Sequence, residues 1–90
     1  MVSLDEAKNY LRVDYADDDD LIQKLIDTAE RLTKDAGRLT DEEFDSNESS
    51  VRIAVLYAIG YLYEHREEAD HHALNMTLRS LLFGTRKEGF

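Results

Sequence analysis

The chain has 90 residues, a formal net charge of -9 at pH 7 and 42% hydrophobic residues. Its length allows one small domain, because domains commonly contain roughly 100 to 150 residues, and its hydrophobic fraction excludes a disordered acidic chain. The sequence has no cysteine, which excludes disulfides, thiolate metal sites and thiol nucleophiles.

The acidic residues are concentrated in the first half of the chain. Residues 1–45 contain 14 acidic and 6 basic side chains, against 6 and 5 in residues 46–90. Such a surface repels DNA phosphates, so we expect no DNA binding through a basic groove. The first residues do not show the basic segment followed by an apolar run that is typical of a signal peptide. No stretch of the sequence approaches the roughly 20 apolar residues of a membrane span. We therefore expect neither secretion nor membrane insertion.

The secondary structure is predicted to be all-α. Proline is absent, glycine occurs four times, and apolar residues recur at helical spacing. We predict a small helical bundle of about four helices plus a short helical turn, in one domain over residues 1–90. The predicted elements are a short helix over 1–12, a helix over 18–36, a central helix over 50–67, a terminal helix over 75–84 and a tail over 85–90.

The first two helices have recognisable starts. Ser3 and Glu6 form a capping box before the first helix. The run Asp17, Asp18, Asp19 and Asp20 precedes the second helix, and we expect one of these residues to be its N-cap and the others to be solvated charges. A calcium loop is the alternative, but the glycine and the distal glutamate of an EF-hand are missing. Gly37 is predicted to end this helix in the left-handed C′ position.

The middle of the chain holds a second capping box and the central helix. Thr40 and Glu43 open the short helical turn, and the polar residues 45–50 are predicted to be a connection within the domain. The central helix is apolar over most of its circumference, so we expect it to be the most buried. Gly60 within it indicates close approach of a neighbouring helix.

The terminal helix is predicted to be capped by Asn75 or Thr77 and ended by Gly84. A short helix is marginal in isolation, so its apolar residues must dock on the bundle itself or on a partner, and the sequence leaves both open. These residues are Leu78, Leu81, Leu82 and Phe83.

Candidate catalytic chemistry is sparse. His65, His71 and His72 lie among carboxylates, but no metal-binding spacing such as HExxH is present, so we expect them to be exposed surface residues. Tyr57, Tyr61 and Tyr63 have helical spacing and are interpreted as core or subunit-interface residues rather than a stacking platform. We expect neither enzymatic activity nor a cofactor.

Three segments carry a resemblance to a known family. Residues 2–14 read VSLDEAKNYLRVD and are followed by acids and a second helix, residues 55–67 read VLYAIGYLYEHRE, and residues 78–86 read LRSLLFGTR. In this order they resemble the head-tail connector, or adaptor, family of tailed bacteriophages and prophages. Residues 37–50 match no part of that pattern, and Asn75-Met76-Thr77 stands where the family often has Pro-Phe-Gly.

The resemblance implies a structural protein of DNA packaging and virion assembly. It would form a homo-oligomeric ring of about twelve subunits beneath the portal, since closed rings are the expected form of such assemblies. The ring would extend the DNA conduit at the virion neck, without specific DNA binding, and dock a stopper or tail-completion protein. Assembly would take place in the bacterial host cytoplasm, with no membrane involved.

The resemblance also assigns roles to two groups of residues. The terminal helix and tail would contact the portal or a neighbouring subunit, and the acidic run would line the conduit or remain a solvated face. In a second hypothesis the basic tail meets an acidic neighbouring subunit. The first group comprises Leu78, Leu81, Leu82, Phe83, Arg86 and Lys87, and the second comprises Asp17, Asp18, Asp19 and Asp20.

Two other functions remain possible at this stage. The chain could be an acidic helical regulator or DNA mimic that binds a basic protein surface, which would form no ring. It could also be a small metal-dependent hydrolase that uses His65, His71 or His72, which would bind metal stoichiometrically.

Overall fold

The computed structural model describes residues 2–46, 48–65 and 70–82. Within these ranges it contains five α-helices and no strand, which confirms the all-α prediction of four longer helices and one short one. The helices are α1 Leu4–Leu11, α2 Asp19–Gly37, α3 Asp41–Ser46, α4 Glu48–Glu64 and α5 His71–Leu82.

One hydrophobic core joins these helices. Helices α2, α4 and α5 pack against one another, while α1 lies across α2 and α4. Helix α4 contacts each of the other four, so its predicted central position is confirmed. The core residues of α4 are Val51, Ala54, Val55, Ala58, Ile59 and Leu62, the face that the helical spacing indicates.

Both predicted capping residues, Ser3 and Thr40, make their N-cap hydrogen bonds, and the complete capping box is seen at Thr40. The Ser3 hydroxyl oxygen accepts a hydrogen bond from the Glu6 amide at 3.1 Å. At α3 the bonding is reciprocal, because Thr40 Oγ1 accepts from the Glu43 amide at 3.1 Å and Glu43 Oε1 accepts from the Thr40 amide at 2.9 Å. These short-range bonds satisfy amides that have no partner in the first turn of a helix.

The end of α2 differs from the prediction. Gly37 is the last residue of the helix, and Arg38 has the left-handed conformation, with φ of 53°. Gly37 is buried, and a Cβ atom there would lie 2.8 Å from Leu82 Cδ1. The glycine therefore allows the ends of α2 and α5 to pack closely, and its backbone freedom is not what ends the helix.

The connection predicted over residues 45–50 is mostly helical. Helix α3 continues to Ser46, whose hydroxyl donates to the Glu42 carbonyl oxygen at 2.8 Å, and α4 already begins at Glu48. Glu48 accepts a charge-assisted hydrogen bond from Arg52, four residues on, which supports the first turn of α4.

The start of α5 also corrects the prediction. Asp70, and neither Asn75 nor Thr77, is the N-cap: its Oδ1 accepts from the Ala73 amide at 3.0 Å. Both predicted caps lie inside α5, where the Thr77 hydroxyl donates to the Ala73 carbonyl oxygen at 3.1 Å. The predicted end at Gly84 lies outside the described residues.

Candidate functional site

A groove lies between α1 and the second half of α4. It has a volume of about 600 Å³. Four of the five tyrosines of the chain line it, and we call it the tyrosine groove. Its lining residues are Tyr10, Leu11, Arg12, Tyr57, Gly60, Tyr61, Tyr63, Glu64 and His65.

The floor of the groove depends on Gly60. A Cβ atom at this position would lie 3.0 Å from Tyr10 Cε2, closer than most side-chain contacts allow. The prediction that a neighbouring helix approaches Gly60 is therefore confirmed, and the approaching group is the Tyr10 ring of α1. The same helix is held to α4 by Arg52, which donates a hydrogen bond to Glu6.

Charge pairing accompanies this contact. The hydrogen bond with Glu6, followed by the one with Glu48, raises the pKa of the Arg52 guanidinium. Arg52 thus remains charged and links the start of α4 to α1. Because the Arg52 and Glu6 side chains remain about a third exposed to water, with exposed fractions of 31% and 34%, we assign this link to orientation of the helices rather than to a large gain in stability.

One end of the groove is fixed by a tyrosine and aspartate cluster. The Tyr63 hydroxyl donates to Asp18 Oδ2 at 2.9 Å, and the Tyr15 hydroxyl lies 3.5 Å from both the Tyr63 hydroxyl and that carboxylate oxygen. The hydrogen bonds with Tyr15 and Asp18, together with desolvation, raise the pKa of Tyr63 to about 12. The cluster joins the chain before α2 to the end of α4.

A second set of contacts beside the groove involves Tyr61 and His65. Their rings stack with centroids 4.2 Å apart, and His65 Nδ1 lies 2.9 Å from the Tyr61 carbonyl oxygen. The Tyr61 hydroxyl oxygen accepts from the Asp70 amide at 3.1 Å, which connects α4 to the start of α5. Tyr61 therefore has a structural role at the junction of these two helices.

The remaining histidines do not converge with it on a metal site. His71 and His72 are exposed in the first turn of α5. Across residues 2–46, 48–65 and 70–82, no group of three His, Asp or Glu side chains is arranged to hold a metal ion.

The acidic run at the start of α2 divides into two pairs. One of its members was predicted to be the N-cap, and Asp18 stands at that position, but its carboxylate makes no capping bond and accepts from the Tyr63 hydroxyl instead. Asp19 Oδ1 forms an ion pair with Lys8 Nζ at 2.7 Å. Asp17 and Asp20 are exposed, so they are the two members available as a solvated acidic surface.

The outward side of α4 is apolar and exposed. Ile53, Tyr57, Gly60 and Glu64 share this side, which we call the α4 outer face. Ile53 is 60% exposed and Tyr57 is 37% exposed, while the adjacent Tyr10 is 49% exposed. Eleven consecutive uncharged residues separate Arg52 from Glu64. An apolar surface of this kind on a charged protein indicates a contact with another molecule.

The residues of the terminal helix that were predicted to meet a partner lie in different environments. Leu78 and Leu82 are buried in the core, because they share with Leu74 the inward side of α5. Leu81 is 39% exposed and is accessible. Phe83, Arg86 and Lys87 lie outside the described residues. The question of what this helix docks on is thereby answered for Leu78 and Leu82, which pack within the bundle.

Ile53 and Tyr10 were not predicted to be surface contacts. The available signal was the long uncharged run of α4, which indicated a helix that is apolar over most of its circumference and was interpreted as the most buried one. No helix in the described part of the chain combines the length and hydrophobicity that a membrane span requires.

Comparison with known proteins gives one match. Residues 1–88 match the sequence model of a family described as phage gp6-like head-tail connector protein. No curated protein and no solved structure matches the chain.

Proposed function

The chain belongs to the phage gp6-like head-tail connector family, and from this we propose that it forms a ring under the portal at the neck of the virion. The ring extends the DNA conduit and presents a docking surface for the next connector or stopper protein. The family match over residues 1–88 carries this proposal, because it spans nearly the whole chain.

The surface of the subunit supports a structural role. The exposed apolar face of α4 suits a protein that is covered by other subunits in its working state. The net charge of -9 suits a conduit wall, since an acidic wall repels the phosphates of passing DNA. Asp17 and Asp20 are the exposed members of the acidic run and are the residues we assign to that wall.

The end of α5 is the proposed contact with the portal. Leu81 is the accessible apolar residue there, and Phe83, Arg86 and Lys87 follow it in the sequence. Aromatic residues and arginine, the types of Phe83 and Arg86, are enriched at protein interfaces relative to the rest of the surface. The stopper protein would then bind the opposite end of the ring.

The mass of the assembly tests the proposal. Light scattering after size exclusion would be measured on the protein alone and after mixing with the portal protein of the same phage. We expect either a ring-sized mass or co-elution of many copies with each portal ring. A mass near 10.4 kDa under both conditions would contradict the proposal. Tight binding to a basic DNA-binding protein would then favour the DNA-mimic alternative.

A further inference from the structure

We infer that the ring closes when the outer face of α5 on one subunit packs into the tyrosine groove and α4 outer face of the next. This inference rests on the proposed ring assembly and names the two surfaces that form it. The α5 outer face consists of Ala73, Met76 and Ser80, with Arg79 beside them, and all four residues are exposed.

The exposed hydrophobic residues of the subunit are unevenly distributed over its surface. Six large apolar or aromatic side chains are exposed among the described residues. Three of them, Tyr10, Ile53 and Tyr57, form the surface on α1 and α4. On α5, Met76 is the exposed large apolar side chain of the outer face, whereas Leu81 lies five residues further on and faces another side of the helix. Four of these six side chains thus belong to the surface on α1 and α4 or to the Met76 side of α5.

The charges on the two faces also favour this contact. Copies of a chain with a net charge of -9 repel one another, and acidic side chains placed within the contact would add to this repulsion. Helix α5 has no acidic residue, and Arg79 is its one Lys or Arg side chain. The α4 outer face is uncharged as far as Glu64. These two faces are therefore suited to contact between like subunits.

The outer faces of α4 and α5 also point in different directions, as a ring requires. Helices α2, α4 and α5 pack mutually, so the outer faces of α4 and α5 point to different sides of the subunit. A cyclic ring requires a heterologous contact, in which one patch meets a different patch on the neighbour. The α4 outer face and the Met76 side of α5 are different surfaces and meet this requirement, whereas one patch that met its own copy would give a closed dimer.

Met76 and the tyrosine groove are complementary in shape and chemistry. Met76 is 50% exposed, and its flexible thioether can fill an irregular groove and contact tyrosine rings favourably. The groove of about 600 Å³ has room for such a side chain. Glu64 lies at the rim of the groove, and Arg79 lies beside Met76, so the flanking charges are of opposite sign.

A matched pair of charge variants tests the α4 surface. Ile53→Glu places a carboxylate on the proposed interface, while Gln23→Glu adds the same charge at an exposed position of α2. Both are measured by light scattering with the portal protein, and circular dichroism checks their helix content. We expect Ile53→Glu to lose the assembled species and Gln23→Glu to retain it. Equal assembly of the two variants would overturn the inference.

Cross-linking tests the pairing of the two surfaces. The natural chain has no cysteine, so introduced cysteines can be linked without background. In the assembled protein, a flexible bismaleimide should convert the double variant Ile53→Cys, Met76→Cys into a ladder of multimers. The pair Gln23→Cys, Met76→Cys should give none. Covalent dimers from Ile53→Cys alone would instead show two α4 faces in contact, and no ladder from the first pair would likewise overturn the inference.

The wild-type protein separates the failure of this inference from that of the proposed function. If it never assembles, with or without the portal protein, both are wrong. If it assembles, but Ile53→Glu assembles as well as Gln23→Glu or the Ile53→Cys, Met76→Cys pair gives no ladder, the ring stands and only the assignment of its interface is wrong.

Discussion

Helices α2 and α4 are alike on their inner sides and opposite on their outer sides. Each contributes six buried residues. The exposed stripe of α2 is charged along its length, whereas the corresponding stripe of α4 carries Ile53, Tyr57 and Gly60 before its first charge. The charged stripe of α2 consists of Asp20, Lys24, Asp27, Arg31 and Asp35.

This difference shows how the two helices are used. A charged outer stripe is the ordinary surface of a helix that faces water. In the outer stripe of α4, Gly60 accommodates the Tyr10 ring, but Ile53 is 60% exposed and therefore contributes little to the fold of one subunit. We therefore attribute the α4 stripe to the assembly and the α2 stripe to the solvated surface of the connector.

The largest effect is expected from the inner side of α4. Ile59 is fully buried, so Ile59→Ala should lower the free energy of unfolding by about 2 to 5 kcal/mol. The same substitution at Ile53, on the outer side, should change it by less than about 0.5 kcal/mol. Urea unfolding at a concentration where the protein is monomeric measures both. Similar losses at the two positions would contradict the assignment of inner and outer faces.

A smaller effect is expected at the two helical glycines. Gly37→Ala would place its Cβ 2.8 Å from Leu82 Cδ1, within the core, and should destabilise the protein by about 1 to 3 kcal/mol. Gly60→Ala would press on the half-exposed Tyr10 ring, which can move outward. The gain in helix propensity, up to about 1 kcal/mol, should then leave this variant no less stable than the wild type.

Thermal unfolding of the two glycine variants provides the comparison. Greater destabilisation by Gly60→Ala than by Gly37→Ala would show that the Tyr10 contact is rigid. The groove would then be a fixed part of the core rather than an adaptable surface.

The inner side of α2 contains a polar defect. Thr33 is fully buried, and its hydroxyl has no hydrogen-bond partner among the described residues. Thr33→Val should therefore stabilise the protein by about 1 kcal/mol, because it removes an unsatisfied polar group. Thr77→Val is the matched control, since that hydroxyl donates to the Ala73 carbonyl oxygen. A loss of stability in the Thr33 variant, measured by urea unfolding, would mean that the hydroxyl is satisfied.

The smallest effect is a dependence on pH at the end of α4. The folded state raises the pKa of Tyr63 from 10.0 to about 12, so it favours the protonated phenol. The stability contributed by this group is complete below pH 10 and is lost as the pH rises through 12. Tyr63→Phe should be less stable than the wild type at neutral pH and should lose less stability between pH 10 and pH 12. Identical pH profiles in urea unfolding would refute the link between Tyr63 and Asp18.

The sequence predicted features that depend on neighbouring residues. The N-caps at Ser3 and Thr40 and the inner face of α4 follow from short spacings and from helical periodicity. Family membership was also evident, because the resemblance rests on motifs in a fixed order along the chain.

The sequence did not predict features that depend on tertiary contacts. One of the residues Asp17–Asp20 was expected to cap α2, but the carboxylate of Asp18, which stands at the N-cap position, accepts a hydrogen bond from Tyr63 instead. Gly37 was expected to end α2, but the packing of Leu82 is what requires a glycine there. Asp70 is one of several charged residues between α4 and α5, so its role as the N-cap of α5 was not predicted. Ile53 could not be assigned to a surface until the positions of α1, α2 and α5 showed which side of α4 they leave uncovered.

The central claim is that the apolar face of α4 is covered in the assembled connector. Hydroxyl-radical footprinting of the assembled protein and of the isolated subunit tests it directly, because tyrosine is readily modified where it is exposed. Tyr10 and Tyr15 are both 49% exposed in one subunit, and Tyr15 is not part of the groove lining. We expect assembly to protect Tyr10 and Tyr57 from modification by hydroxyl radicals and to leave Tyr15 as reactive as in the isolated subunit. Unchanged modification of Tyr10 and Tyr57 in the assembled protein would contradict the claim.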